Sequence, residues 1–314
     1  MTAESDFHAL MAAIASDPAA RGLADDTAVL SVGGRSLVLT KDMLVEGVHY
    51  LPDDPPQDVA WKLVAVNLSD LAAKGARPVG ILLGYSLGDG SWDRAFAEGL
   101  RTALDAFACP LLGGDTVASR GPRTLSLTAI GEADGPVPSR AGAKPGDDLW
   151  VSGTIGDAGA GLAILSGELS GPDALVRRYR TPRPRLEAGQ ALAPLVTAMM
   201  DVSDGLLIDA SRLARASAVS VTLSLDAIPL SDAWLTALGD ARAARLRAAT
   251  AGDDYELLFS APDTARHRLV ASGETLGLPL TRIGRCDAGD GLFLTDAGGP
   301  VPLPDSLGWE HDRS

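Results

Sequence analysis

A chain of 314 residues suits two domains or one large one, and its apolar content of 46% is ordinary for a globular protein. The net charge of −14, from 41 acidic and 27 basic residues, argues against the basic stripes of a nucleic-acid-binding surface, but not against nucleotides, because bound metal ions can invert the local field. No apolar run is long enough for a membrane span, the start Met1-Thr2-Ala3-Glu4 lacks a signal-peptide pattern, and the isolated cysteines Cys109 and Cys286 form no metal motif and suit a reduced cytoplasm.

In chain order, residues 4–15 read as a short helix. Residues 27–32 and 36–41 read as strands joined by a Gly33-Gly34 hairpin. A long, largely apolar helix follows over 57–75, then a buried strand at 78–87, a helix at 91–107, and a short strand at 110–112 ended by Gly113-Gly114. Thr124-Leu125-Ser126-Leu127-Thr128 alternates cleanly within a strand at 123–131. Gly135-Pro136-Val137-Pro138 and Lys144-Pro145-Gly146-Asp147 then punctuate a loop-rich segment, which divides the chain into domains 1–137 and 138–314. The second half opens with a strand at 148–152 and a Gly-rich helix start. It continues through Arg/Pro-rich turns at 177–185, a strand near 197–202 and a helix at 204–217. Strands at 219–225, 255–260, 280–286 and 291–295 complete a second sheet with helices between its strands. The fold class is α+β in two units.

Aspartates in small-residue settings carry the chemistry: Asp25-Asp26, Thr40-Lys41-Asp42, Asn67-Leu68-Ser69-Asp70, Gly113-Gly114-Asp115-Thr116 and Asp201-Val202-Ser203-Asp204-Gly205. Most follow or interrupt apolar runs, where strand ends and helix starts are expected. Carboxylates gathered at one place repel by about 4 kcal/mol per pair at 4 Å and a surface-like dielectric, so convergence requires hard cations. Oxygen-only ligation favours Mg²⁺, which commonly also holds phosphates.

Each motif also has a plainer reading. Asp70 lies one helical turn from Lys74 and pairs with it in that reading. Gly-Gly-Asp is good tight-turn chemistry, with glycines that permit positive φ or close backbone approach to phosphate. Ser203 or Asp204 suits the N-cap of the following helix, whose N-terminus also suits phosphate. Arg140 is a loop arginine that can either face solvent or fork onto phosphate. Residues 153–161 imitate a dinucleotide fingerprint with the wrong spacing, and close helix–sheet packing is preferred there. His8, His267 and His311 have no motif around them. The chain has no G-x-x-x-x-G-K-[ST] loop, no H-R-D with D-F-G, and no G-x-S-x-G elbow.

Taken in order, Asn67-Leu68-Ser69-Asp70-Leu71-Ala72-Ala73, Gly113-Gly114-Asp115-Thr116, Arg140 through Asp147, Ser203-Asp204-Gly205-Leu206 and Gly252-Asp253-Asp254-Tyr255-Glu256-Leu257 resemble the thiamine-monophosphate kinase family. This family belongs to the ATP-binding superfamily of aminoimidazole ribonucleotide synthetase, and the resemblance runs from about Asp25 to Trp309. It implies an N-terminal mixed-sheet domain that dimerises into a barrel and a C-terminal α/β domain. It implies transfer of the ATP γ-phosphoryl group to thiamine phosphate by a cytoplasmic homodimer using several Mg²⁺ ions. Asp26, Thr40, Asp42, Asp70, Asp115, Asp201 and Asp204 match the family's metal positions, with Asp42, Asp70, Asp115 and Asp204 expected to be catalytic. Gly114, Asp115, Arg140 and Ser203 match its ATP contacts, and His49, Asp253 and Trp309 its substrate contacts. Related chemistries on the same scaffold are aminoimidazole ribonucleotide and selenophosphate synthesis; a non-catalytic nucleotide- or thiamine-binding protein is the other alternative.

The sequence departs from the family pattern at three places. Ala24 replaces the usual glycine before Asp25-Asp26, which implies reduced backbone freedom. Lys41 stands where a small polar residue is common, which implies a cation beside the metals. Asp253 replaces the common glutamate and shortens the reach to substrate by one methylene.

Overall fold

The computed structural model describes residues 3–310; His311 lies outside them. The first unit begins with helix α1 (Ala3–Ile14), followed by strands β1 (Ala28–Val32) and β2 (Arg35–Val45). Val32 pairs with Arg35 across Gly33-Gly34, whose φ values of +58° and +80° suit the tight hairpin turns that match strand twist. Helix α2 (Pro56–Ala73) starts with proline at its first position, where the missing N–H costs nothing. After β3 (Arg77–Leu87), helix α3 (Gly90–Ala106) is capped by Asp89, which accepts from the main-chain N–H groups of Ser91 and Trp92. Strands β4 (Leu111–Ala118) and β5 (Thr124–Ala133) complete a five-stranded sheet in the order β1-β2-β5-β3-β4, antiparallel except for the β3–β4 pair.

The second unit contains β6 (Asp148–Ser152), α4 (Asp157–Leu165), α5 (Asp173–Arg180), α6 (Leu186–Leu192), β7 (Ala198–Asp201), α7 (Leu206–Ser217) and β8 (Ser220–Ser224). It continues with α8 (Asp232–Leu238), α9 (Arg242–Thr250), β9 (Leu257–Ala261), α10 (Arg266–Leu276), β10 (Leu280–Asp287), β11 (Gly291–Asp296) and β12 (Gly299–Val301). Its seven strands are ordered β12-β11-β8-β10-β6-β9-β7. Leu206, Leu207 and Leu213 of α7 bury against Val151, Met200, Val221 and Leu258 of this sheet.

In the first unit, α2 packs Leu63, Leu68 and Leu71 onto Leu125, Leu127 and Ile81 on one face of the sheet. Met43, Leu82, Leu111, Leu112 and Val117 are exposed. The strand read as buried at 78–87 is therefore half-buried, because among the described residues no other layer covers its outward side chains. The units meet where α6 lies on α2: a Cβ added at Gly189 would sit 1.9 Å from the main-chain oxygen of Ala72, so only glycine allows the approach. The segment around α5 also reaches across. Arg180 pairs with Asp54 at 2.7 Å, and the Trp61 indole N–H donates to the Pro182 carbonyl at 2.7 Å.

The glycine pair at 113–114 does not end its strand. Both residues lie within β4, parallel to β3, with no positive φ. A side chain at Gly114 would strike the Leu83 carbonyl oxygen at 1.9 Å, so close strand approach rather than a left-handed turn requires glycine here.

Candidate active site

Asp26 from the turn before β1, Asp70 from α2 and Asp201 at the end of β7 converge. Each offers a carboxylate oxygen, and these atoms lie within 4.8 Å of one another. Alternation along β2 turns Val38, Thr40 and Leu44 inward and Lys41 and Met43 outward. Asp42 shares the inward parity. The Thr40 hydroxyl donates to the Asp70 carboxylate and lies 3.3 Å from the Asp26 carbonyl. Asn67 Oδ1 accepts from the Asp42 main-chain N–H at 2.9 Å, and its Nδ2 donates to the Leu63 carbonyl at 2.9 Å. Asn67 therefore fastens strand to helix. Ser69 donates to Asp201 at 2.6 Å.

Lys74 has a different partner from the one its spacing suggests. Its fully buried ammonium pairs with Asp25 and, at 2.9 Å, with Asp26 rather than with Asp70. A chain reversal brings the distant Asp25-Asp26 turn closer to it than its own helical neighbour. Arg140 donates to Asp26 from its guanidinium and to Asp25 from its main-chain N–H at 3.2 Å.

This arrangement splits the carboxylates electrostatically. Burial pushes Asp42 up to about 6, helped by the charges of Asp26 and Asp204. Burial, reinforced by Asp26, pushes Asp201 up to about 8. Asp70 is held well above the ordinary carboxylate range by burial and by Asp42 and Asp201. For Asp26, burial acts in the same direction, but Lys74 and Arg140 outweigh it and hold the group low. The cluster thus has more acidic groups than positive charge to ionise them. Buried oxygen donors that retain protons near neutrality are the donor set that a hard divalent cation such as Mg²⁺ fits.

Ser203 and Asp204 follow β7 but do not cap α7. The cap position is Gly205, with φ +128°, and no side chain bonds there. Instead Asp209, in the first turn of α7, reaches back to accept from the main-chain N–H groups of Ser203 and Asp204, both at 3.1 Å. Arg212 clamps the arrangement, pairing with Asp209 at 2.8 Å and with Asp204.

A cavity of about 530 Å³ is lined both by these carboxylates and by a mixed polar and aromatic group. Asp26, Asp42, Asp70, Asp201 and Asp204 form the acidic part of its wall; His49, Tyr179, Asp253, Tyr255 and Trp309 also line it. His49 Nδ1 accepts from the Val45 main-chain N–H at 3.1 Å. The tail carrying Trp309 is held by its main-chain N–H, which donates to the Asp204 carbonyl at 2.8 Å, and by Gly308, which leaves no room for a side chain beside that carbonyl.

Gly114 and Asp115 are not brought to this cavity within one chain. They lie on β4, which is exposed along its length, and Asp115 accepts from the Thr116 main-chain N–H at 2.9 Å. Two of the departures have no local consequence of the expected kind. Ala24 adopts φ −97°, an ordinary value that needs no glycine. Lys41 points to the outer face of the sheet and bonds Ser126, because it sits between the two inward residues Thr40 and Asp42. The glycines at 153–161 do serve close packing, but against helices rather than the sheet: added side chains at Gly156, Gly159 and Gly161 would meet Ala248 of α9, Ala251 just after it and Leu175 of α5 within 2.7 Å.

Sequence reasoning passed over Asp209, Arg212, Lys62 and Tyr179. Asp209 carried a signal, an acidic residue in a first helical turn three before an arginine. Lys62 carried one too, as a lone cation within an apolar helix. Tyr179 had none.

The match to family models covers most of the chain: AIR synthase related protein, N-terminal domain, over residues 24–133, and AIR synthase related protein, C-terminal domain, over 144–297. The thiamine-monophosphate kinase of Salmonella typhimurium is 40% identical over 300 residues, covering 92% of this chain and 91% of its own. That of Caulobacter vibrioides is 42% identical over 304 residues, covering 94% and 86%. Among solved structures, AaThiL complexed with AMPPCP and TMP superposes with a TM-score of 0.82 at 32% identity, covering 96% of this chain and 94% of that one. The thiamine-monophosphate kinase of Stenotrophomonas maltophilia gives 0.78 at 39% identity, covering 93% and 95%. With a two-unit fold, an acidic cavity and this extent of similarity, the chain belongs to the thiamine-monophosphate kinase family of AIR synthase related proteins.

Proposed function

We propose that this chain transfers the γ-phosphoryl group of ATP to thiamine phosphate, giving thiamine diphosphate, with Mg²⁺ held by its acidic cluster. One observation carries the reading: a single cavity is lined both by a cluster of carboxylates short of positive charge and by His49, Tyr179, Asp253 and Trp309. The carboxylates suit phosphates received through cations, and the polar and aromatic lining suits an organic ring system.

Asp26, Asp70 and Asp201, with Thr40, Asp42 and Asp204 beside them, would hold the metal ions. Mg²⁺ bound there supplies charge neutralisation for phosphoryl transfer. Arg140, paired with Asp26, would exchange onto a phosphate oxygen. Asp209 and Arg212 hold the Ser203-Asp204 turn, so that its main-chain and hydroxyl donors keep their place. The nucleophile is an acceptor phosphate oxygen, largely ionised at neutrality because a phosphomonoester's second pKa is about 6. No general base is required. Positioning is then the main work of the protein.

We assign the role of Gly114 and Asp115 to a homodimer. The strand that bears them is exposed, and it carries Leu111, Leu112 and Val117 at about half exposure. A second copy covering this apolar edge would remove it from water and would complete a site that one chain leaves without Asp115. The same reading places the domain boundary at 137/138, between the two sheets, and the protein in the cytoplasm. Among the described residues no helix is long and apolar enough to cross a membrane.

Incubation with Mg-ATP and thiamine phosphate, followed by chromatography, tests the assignment. Thiamine diphosphate and ADP in equal amounts are expected. Absence of that product, with ATP consumed only when another acceptor of the superfamily is supplied, would reject it.

A further inference from the structure

Lys62 sits in the middle of α2 beside Leu63 and Val66, and it is 2% exposed. A buried ammonium persists only where partners replace its water. Lys62 has three, each on a different segment. It donates to Asp253 Oδ2 at 2.8 Å and to the His49 carbonyl at 3.0 Å, and its Nζ lies 3.9 Å from the centroid of the Tyr179 ring. All three residues line the cavity. One cation therefore joins α2, the turn at 46–50, α5 and the loop at 252–256, which come from both units.

That loop needs the anchor. Asp253 and Tyr255 both hold left-handed backbone, at φ +67° and +52°, which residues with side chains adopt at a cost. The Tyr255 hydroxyl donates to the second oxygen of Asp253 at 2.9 Å, and the Asp253 main-chain N–H donates to the Ser203 carbonyl at 2.7 Å. The Asp253 side chain is 30% exposed. Without Lys62, the Tyr255 hydroxyl is left to hold its carboxylate.

We propose that Lys62 is a positioning residue for acceptor binding, acting through Asp253 and Tyr179 to hold the ring-binding wall in place before the acceptor arrives. The inference rests on the kinase reading above and deepens it at one subsite. Its effect falls on the acceptor rather than on ATP, because the groups it holds, Asp253, the His49 carbonyl and the Tyr179 ring, are none of the carboxylates proposed to hold the metal ions.

The test compares the full-length wild type with Lys62→Met, which keeps the stem and removes the charge. Thiamine phosphate affinity is measured by calorimetry without nucleotide, and KM and kcat are measured for both substrates. The Kd and KM for thiamine phosphate should rise about tenfold or more, while KM for ATP and kcat at saturation stay within about threefold. In the Lys62→Met/Asp253→Asn double variant, acceptor affinity should fall no further than about twofold below the weaker single variant, since both changes break one linkage. Unchanged acceptor affinity, parallel losses for both substrates, or multiplicative losses in the double variant would each overturn the proposal. If Lys62→Met fails to fold, Lys62→Gln, which keeps a donor and removes the charge, decides on the same readouts. A rise in acceptor Kd of about threefold or more with KM for ATP unchanged supports the linkage, and an unchanged Kd overturns it. Wild-type protein that makes no thiamine diphosphate rejects the kinase reading itself, before any variant is scored.

Discussion

Replacing Asp201 by Asn should stabilise the metal-free protein and abolish its response to Mg²⁺. The amide keeps the shape of the protonated carboxyl and can still accept the Ser69 hydrogen bond now made at 2.6 Å. Asp201 is pushed up to about 8 from an ordinary 3.8 by burial and then by Asp26. The folded state therefore retains a proton that the unfolded chain releases between these values, and the wild type loses stability as pH rises through that window. The slope is about 1.4 kcal/mol per pH unit per proton, or about 4 kcal/mol between pH 5 and 8. Coulomb repulsion gives a similar figure: at the 4.8 Å limit that spans the three carboxylates, an effective dielectric near 20 yields about 3–4 kcal/mol per charge pair. For a chain of 314 residues, an unfolding entropy of about 2.1 cal/mol/K per residue converts this to a Tm rise of about 5 °C. Thermal unfolding in chelator at pH 5 and 8.5, and again with MgCl2, is the assay. The variant's advantage over the wild type should be small at pH 5 and larger by about 4 kcal/mol at pH 8.5, and it should gain nothing from Mg²⁺. Equal Mg²⁺ stabilisation of both proteins, or a variant less stable than wild type at pH 8.5, would refute the reasoning.

Other substitutions separate the roles of neighbouring groups. Asp115→Asn should abolish turnover with an unchanged Tm, because the side chain is exposed within one chain; near-normal kcat would remove Asp115 from the proposed site. Asp209→Ala should lower kcat at least about tenfold and cost about 2 kcal/mol, since two main-chain N–H groups lose their acceptor and Arg212 loses one of its two carboxylates; kinetics and urea unfolding report both. Lys74→Met leaves Asp25 and Asp26 without their buried counter-charge and should destabilise by about 3–5 kcal/mol, with partial recovery in the Lys74→Met/Asp25→Asn double variant measured by chemical denaturation.

The parts of this structure that were legible in the sequence are those fixed by local periodicity or a short motif. Alternation exposed the β1–β2 hairpin and β5, and small-residue settings marked Asp26, Asp42, Asp70, Asp201 and Asp204 before their convergence could be seen. The outward direction of Lys41 was also available, since a residue between two inward neighbours on a strand must face away; the family comparison had drawn attention to its charge instead. Partners distant in sequence were not available. Lys74 pairs with residues 48 and 49 positions earlier rather than with the aspartate one turn away. The glycines at 113–114 illustrate the same limit: their composition speaks equally for a turn and for a strand pressed against its neighbour, and only the position of Leu83 decides.

The bridge from α5 to the first unit has a bearing on how ligands enter. With Arg180 fastened to Asp54 and the Trp61 indole to the Pro182 carbonyl, the two halves are latched on one flank. Turnover cannot then rely on a wide clamshell swing about that flank. Trp309, half exposed, lines the cavity these halves share, and the molecule's outer dimensions should stay constant through the cycle while guanidinium and carboxylate groups trade places within.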